Sequence, residues 1–190
     1  MIHPDTAVRF IAPAVGRGVI ATAPIPQGTI TWVRDPLDAG WPVEDVMGWP
    51  DVYWAVLYRT CLLIDGTVVQ PWDHARLVNH SCEPNCAGTR FGFEVALVDI
   101  NPGEQMTNDY DGFALPGDPP FACECGSPAC RGLDVYRASH EVRSRLEVRV
   151  GEALKHTLLL PQPLLDLVPP DRLTAALDAL TLQPEPFSLV

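Results

Sequence analysis

Residues 76–86 read Arg76-Leu77-Val78-Asn79-His80-Ser81-Cys82-Glu83-Pro84-Asn85-Cys86. Asn79, His80, Ser81 and Asn85 crowd together directly after an apolar pair. Buried polar side chains cost free energy unless they find partners, so such a cluster either binds something or knits a loop together. His80 alone reads as a structural histidine. The cluster as a whole reads as functional.

Two further segments carry chemistry. Ile100-Asn101-Pro102-Gly103-Glu104-Gln105-Met106-Thr107-Asn108-Asp109-Tyr110 ends on a tyrosine beside a carboxylate. That arrangement can orient a proton or an amine, the plain alternative being a core tyrosine. Cys123-Glu124-Cys125-Gly126-Ser127-Pro128-Ala129-Cys130 places three thiols within eight residues, with Gly and Pro to tighten the loop. Three thiolates suit tetrahedral zinc, and a closed structural site needs a fourth ligand, for which Cys82 is the natural donor. Cys61 and Cys86 then read as small buried hydrophobes. The alternative is free thiols without metal.

Composition narrows the classes. A chain of 190 residues fits one domain, or one with a short appendage. Hydrophobic residues make up 47% and charged residues 19%, enough to bury a core. Twenty prolines argue against long helices over most of the chain. The net charge of −11 is the wrong sign for a phosphate-backbone binder and favours a cationic partner, or serves solubility alone. Met1 to Pro13 lacks a secretory pattern, and the apolar stretch Leu158–Val168 is broken by Pro161 and Pro163. The expectation is a cytoplasmic protein whose cysteines are thiols or metal ligands, with no membrane contact.

Short strands are expected at Val8–Ile11, Gly18–Ala21, Thr29–Val33 and Phe93–Val98, with Glu104–Tyr110 after a turn. Asp65-Gly66 predicts a hairpin within Cys61–Val69. Asp51–Arg59 reads as a short helix capped by Asp51. Ser139–His156 reads as a helix capped by Ser139, with Val142, Leu146, Val150 and Leu154 recurring every four residues. Asp171–Leu182 reads as another, capped by Asp171, with Leu173, Leu177 and Leu180 on one face. These tail helices offer packing or a homodimer surface.

Together the three segments resemble the SET-domain protein lysine methyltransferases. Asn79-His80-Ser81-Cys82-Glu83-Pro84-Asn85 looks like that family's most specific signature. Gly103 to Tyr110 is similar to its second signature, Cys123 to Cys130 to its post-SET zinc loop, and Gly16-Arg17-Gly18-Val19 to its opening Gly-x-Gly. The order agrees across residues 8–132, and the compact chain looks like the small stand-alone bacterial type. The resemblance implies a mainly β, β-clip-like SET fold of several small sheets with a pseudoknot-like active site. It divides the chain into a SET domain at 7–112, a zinc loop at 113–132 and a short C-terminal helical extension at 133–190. It implies S-adenosylmethionine as cofactor, bound near Gly16, Arg17 and Gly18 and by Asn79 and His80. Tyr110 is then the catalytic residue at the methyl-transfer channel, also meeting the cofactor. Cys82, Cys123, Cys125 and Cys130 would hold one structural Zn²⁺. The implied substrate is a lysine in a basic protein segment.

The sequence departs from the family at two places. Asn108 stands where Phe or Tyr is usual, so the number of methyl groups added is left open. Thr31-Trp32-Val33-Arg34-Asp35 replaces the usual Glu-Tyr-x-Gly, so a channel aromatic must come from elsewhere, with Trp32, Tyr53 and Tyr58 as candidates. These departures keep two other readings alive: a non-catalytic SET-like binding module, and a methyltransferase for small amines.

Overall fold

The computed structural model describes residues 1–181. The chain opens with β1 (Thr6–Ala12), β2 (Gly16–Ala21), β3 (Ile30–Val33) and β4 (Ala39–Pro42). The short helices α1 (Val43–Val46) and α2 (Asp51–Thr60) follow, then β5 (Leu62–Ile64), β6 (Thr67–Gln70), β7 (Asn79–His80), β8 (Cys86–Gly88), β9 (Phe93–Ala96) and β10 (Thr107–Asn108). The tail holds α3 (His140–Thr157) and α4 (Pro170–Thr181). Among the described residues, no helix is long and apolar enough to cross a membrane.

Four small sheets result. β1 and β2 form an antiparallel pair, β3-β9-β8 and β4-β6-β5 are three-stranded, and β7 lies parallel to β10. The β5–β6 turn is Asp65-Gly66, with φ of 46° and 71°. Positive φ at both central residues is what a two-residue hairpin turn of matching twist requires.

Side-chain alternation on β9 divides the molecule. Phe93, Val95 and Leu97 face one way and join Leu146, Val150, Ala153 and Leu154 of α3 in one core. Ala96, on the other face, joins Trp32, Cys86, Ile100 and Met106 in a second core. A third core, Val46, Leu57, Val68 and Leu115, lies beneath the tryptophans of the α1–α2 region.

Several boundaries differ from expectation. The β9 strand stops at Ala96, and only Thr107–Asn108 of the 104–110 segment is strand. Asp51 does not cap α2: Pro50 holds that position and Asp51 sits in the first turn. The last helix starts at Pro170, which moves Asp171 into its first turn. Proline is well suited to a first helical position because its missing N–H is unneeded there. Ser139 does cap α3, its hydroxyl accepting from the Val142 N–H at 3.3 Å. Leu182 and the side chain of Leu180 lie outside the described residues.

The tail is stitched to the β-structure by Gln162, which the sequence did not single out. Its Oε1 accepts from the Ile30 N–H at 2.8 Å, and its Nε2 donates to the carbonyls of Gly28 (3.1 Å) and Thr157 (2.7 Å). Removing the amide leaves backbone groups unpaired, at about 1–3 kcal/mol. Gln162→Ala is therefore expected to lower the unfolding free energy by that amount, read in a denaturant melt as a lower midpoint at an unchanged m-value.

Candidate active site and cysteine cluster

The site is built where β7 and β10 run side by side, Asn79 opposite Thr107 and His80 opposite Asn108. The polar cluster of residues 79–85 knits these strands. Asn79 Nδ2 donates to the Arg17 carbonyl (3.0 Å) and to Gln105 Oε1 (2.8 Å). Asn85 Nδ2 donates to the Gln105 carbonyl, and its Oδ1 accepts from the Thr107 N–H, both at 2.8 Å. His80 Nδ1 accepts from the Tyr110 N–H at 3.2 Å, which puts its proton on Nε2, 3.3 Å from Cys82 Sγ. Burial, helped by Arg131, holds this imidazole at about 4 against the pull of Asp109, so it is neutral at pH 7.

Gly18 is fixed by crowding. A Cβ there would lie 2.4 Å from Gln105 Oε1 and 2.6 Å from Asn79 Nδ2, so a larger residue would have to push aside the two amides that bond each other here.

Tyr110 is the junction. Its hydroxyl donates to the Val78 carbonyl at 2.7 Å, and burial pushes the phenol above its ordinary range. One cavity beside it is lined by Ala14, Val15, Asn79, His80, Gln105, Phe121, Cys123 and Glu124. A second is lined by Trp32, Tyr58, Glu94, Asn108, Phe113 and Tyr136. Tyr110 lines both. The rings of Phe121 and Tyr136 stand 6.1 and 6.4 Å from that of Tyr110.

Of the candidate channel aromatics, Trp32 and Tyr58 line the second cavity, whereas Tyr53 is half exposed and packs on Trp49. Gly16, Arg17 and Gly18 do not themselves line the first cavity, whereas the neighbouring Ala14 and Val15 do. Glu94, Phe113, Phe121 and Tyr136 were missed by sequence reasoning. The signal available for Glu94 is that residues 93–98 are otherwise apolar on both faces, as in a strand covered on both sides, which leaves one carboxylate turned inward.

Residues 108–111 each reach a different partner. The Asn108 side chain bonds Glu94. Buried Asp109 takes a bidentate pair from Arg131, at 2.8 and 2.6 Å. Asp111 does the same for Arg143 of α3, at 2.6 and 3.0 Å. Arg131 also donates its backbone N–H to Cys82 Sγ at 3.3 Å, which ties the cysteine loop to the segment after β7 as well.

The ligand atoms of Cys82, Cys123, Cys125 and Cys130 all lie within 4.8 Å of one another. A tetrahedral zinc with Zn–S of about 2.3 Å requires sulfur–sulfur edges of about 3.8 Å. The Cys82–Cys123 separation is 3.9 Å. Against desolvation, N–H groups of Cys82 and Ser127 and the neighbouring thiols bring Cys125 down to about 7. The set therefore fits a four-thiolate zinc. With all four positions filled by protein, it leaves none for chemistry. Cys86 is buried and Cys61 half-buried, both away from the cluster.

Comparison with known proteins points to a family. Residues 16–111 match the SET-domain family model. The chain is 31% identical over 142 residues to the histone-lysine N-methyltransferase ash1 of Drosophila melanogaster, covering 66% of this chain and 6% of that protein. It is 36% identical over 89 residues to the H3 lysine-36 specific histone-lysine N-methyltransferase of Schizosaccharomyces pombe, covering 42% and 11%. It is 42% identical over 66 residues to the histone-lysine N-methyltransferase TRX1 of Oryza sativa subsp. japonica, covering 31% and 6%. The chain thus spans about a tenth or less of these relatives' lengths. Among solved structures, KRYPTONITE in complex with mCHG DNA and SAH aligns with a TM-score of 0.49 and 24% identity, over 67% of this chain and 28% of that one.

The cluster makes metal content a direct test. Purified protein is expected to carry about one zinc per chain, and Cys125→Ser to lower that occupancy and the melting temperature together. The checks are elemental analysis and calorimetry. A stably folded native protein without metal would contradict the assignment.

Proposed function

This chain belongs to the SET-domain family, and from that premise we propose that it is a protein-lysine N-methyltransferase using S-adenosylmethionine. The observation that carries the reading is Tyr110 as the common wall of two cavities. Transfer between a bulky donor and a buried amine needs two separate entrances meeting at one point, and alignment there supplies much of the rate.

The first cavity suits the cofactor. Phe121 and His80 offer flat ring faces for a purine, Asn79 and Gln105 offer polar atoms, and Glu124 lies at the border of a site for a cationic sulfonium. Asn79, His80 and the backbone near Gly16 to Gly18 would hold the group. When bound, it supplies an electrophilic methyl group. The zinc loop would serve to hold Phe121 and Glu124 over this cavity.

The second cavity suits a lysine side chain, its aliphatic stem lying among Trp32, Tyr58, Phe113 and Tyr136. At pH 7 only about one lysine amine in 2,500 is neutral. Desolvation in this narrow passage lowers the ammonium's pKa and favours loss of the proton. The Tyr110 hydroxyl, its own hydrogen committed to the Val78 carbonyl, presents oxygen lone pairs that accept an N–H and aim the nitrogen. The net charge of −11 favours a basic protein segment as substrate.

The test is transfer of labelled methyl from S-adenosylmethionine into proteins of a mixed lysate. Label is expected on lysine side chains, and Tyr110→Phe is expected to lower the rate ~100-fold through lost alignment. Label confined to small amines, or cofactor binding with no transfer, would overturn the reading.

A further inference from the structure

Glu94 is the anomaly of the second cavity. Strand alternation on β9 places it on the face that Ala96 shares with Trp32, Cys86 and Met106. Its neighbours across the sheet are Trp32 on β3 and Gly88 on β8. A carboxylate at an apolar, inward position is costly unless it is paired. Its partner here is the Asn108 amide. Asn108 Oδ1 already accepts the Asp109 N–H at 2.9 Å, so the Asn108 NH₂ is what faces Glu94. One amide donor leaves most of the carboxylate's acceptor capacity unused, and an ionised carboxylate takes only donors. Trp32, which lines the same cavity, carries a buried indole N–H that has no hydrogen-bond partner among the described residues.

We propose that Glu94, tethered by Asn108, is the acceptor for the target ammonium and takes its proton before methyl transfer. The inference rests on the methyltransferase reading above and deepens it by naming how the amine is held and deprotonated. The N–H bond of the ammonium breaks and an O–H bond forms on Glu94. The nitrogen keeps the electron pair, and the neutral carboxylic acid later yields its proton to water through the open cavity. No other oxidant, reductant or co-reactant enters this step.

The electrostatics around Glu94 fit a proton acceptor. Burial pushes its carboxyl up to about 7, against the lowering influence of Asn108 and, more weakly, of the chain's amino group. Negative charge on Cys86 or Tyr110 would oppose that of Glu94, but both thiol and phenol are themselves held protonated by burial. Arg59, Arg76 and Asp118 complete the charged residues of the cavity. Arg76 is spent on the carbonyls of Trp72 and Asp73, at 2.7 Å each, and Asp118 accepts from Tyr136. A general base works best with a pKa near the operating pH.

The folded carboxyl titrates above its unfolded value, so the folded state binds the extra proton between about pH 4.5 and 7. Stability is therefore lost as pH rises through that window. Glu94→Leu should melt higher than the wild type, and by a wider margin at pH 8 than at pH 4.5. A functional carboxylate is expected to show such a gain in stability with a loss of activity.

The experiment follows the Glu94 carboxyl by carbon-13 NMR in the zinc-loaded chain of residues 1–190, its signal assigned by its loss in Glu94→Gln. n-Butylammonium chloride serves as the bare side-chain probe, and n-butyltrimethylammonium, which lacks N–H, as the control. The first probe is expected to lower the titration midpoint, the control far less. In the lysate assay Glu94→Gln should cut transfer at pH 7 by ~100-fold, with cofactor affinity by calorimetry unchanged, and should shift the rate's rise to higher pH. A midpoint indifferent to butylammonium overturns the proposal, as does Glu94→Gln transferring like the wild type. So does a melting temperature that falls with activity in both variants, which marks a structural role. A wild type that responds to butylammonium but transfers no methyl overturns the methyltransferase reading instead.

Discussion

The structure depends on one short parallel pairing. Asn79-His80 and Thr107-Asn108 lie side by side although 26 residues of other structure separate them. Parallel strands cannot be joined by a tight turn, so the chain must travel away through β8 and β9 and return. Two residues of ladder would be too weak to hold that arrangement. Side chains supplement it: Asn79 bridges to Arg17 and Gln105, Asn85 clamps residues 105–107, and His80 receives the Tyr110 N–H. The crowding of amides in the signature segment is thus accounted for by backbone groups that would otherwise go unpaired.

From this pairing, charge carries order outward. Asp109 and Asp111 point to opposite neighbours, one to Arg131 of the cysteine loop and one to Arg143 at the start of α3. Bidentate arginine–carboxylate geometry fixes orientation as well as distance. The buried Asp109–Arg131 pair is the more consequential, because losing one partner would strand a charge in the interior. Three thiols of the cysteine loop, drawn together with Cys82 just after β7, finish the enclosure of the His80 side of Tyr110. The two cavities differ in character as a result. One is bordered by a loop held by a metal-fitting cluster, the other by elements of the β-structure and the Asn108–Glu94 pair.

Much of this was legible in the sequence. The polar cluster at 79–85 and the four cysteines stand out by residue type and spacing, Tyr110 only through the family resemblance, and the structure draws them into one region. The hairpin at Asp65-Gly66 and the Ser139 cap follow from local rules that operate over a few residues. What was not legible depends on contacts between distant segments. Gln162 acts over 132 residues on Ile30, and Arg131 acts on Asp109 across 22. Phe121 and Tyr136 flank Tyr110 only because the cysteine loop folds back. Asp51 and Asp171 looked like caps because aspartate usually is one, but a proline just upstream sets the helix start in each case. Asn108 was seen as a departure, yet its meaning required its partner on another strand, Glu94.

The central claim is that Tyr110 separates a methyl-donor site from an amine channel. The most direct measurement is a crystal structure of the zinc-loaded chain with S-adenosylhomocysteine and a lysine-containing peptide. The account predicts the adenine and sulfur on the His80–Phe121 side. It predicts the lysine nitrogen on the Glu94–Asn108 side, about 3 Å from the Tyr110 hydroxyl. Both ligands on one side of Tyr110, or a nucleoside bound elsewhere on the molecule, would contradict it.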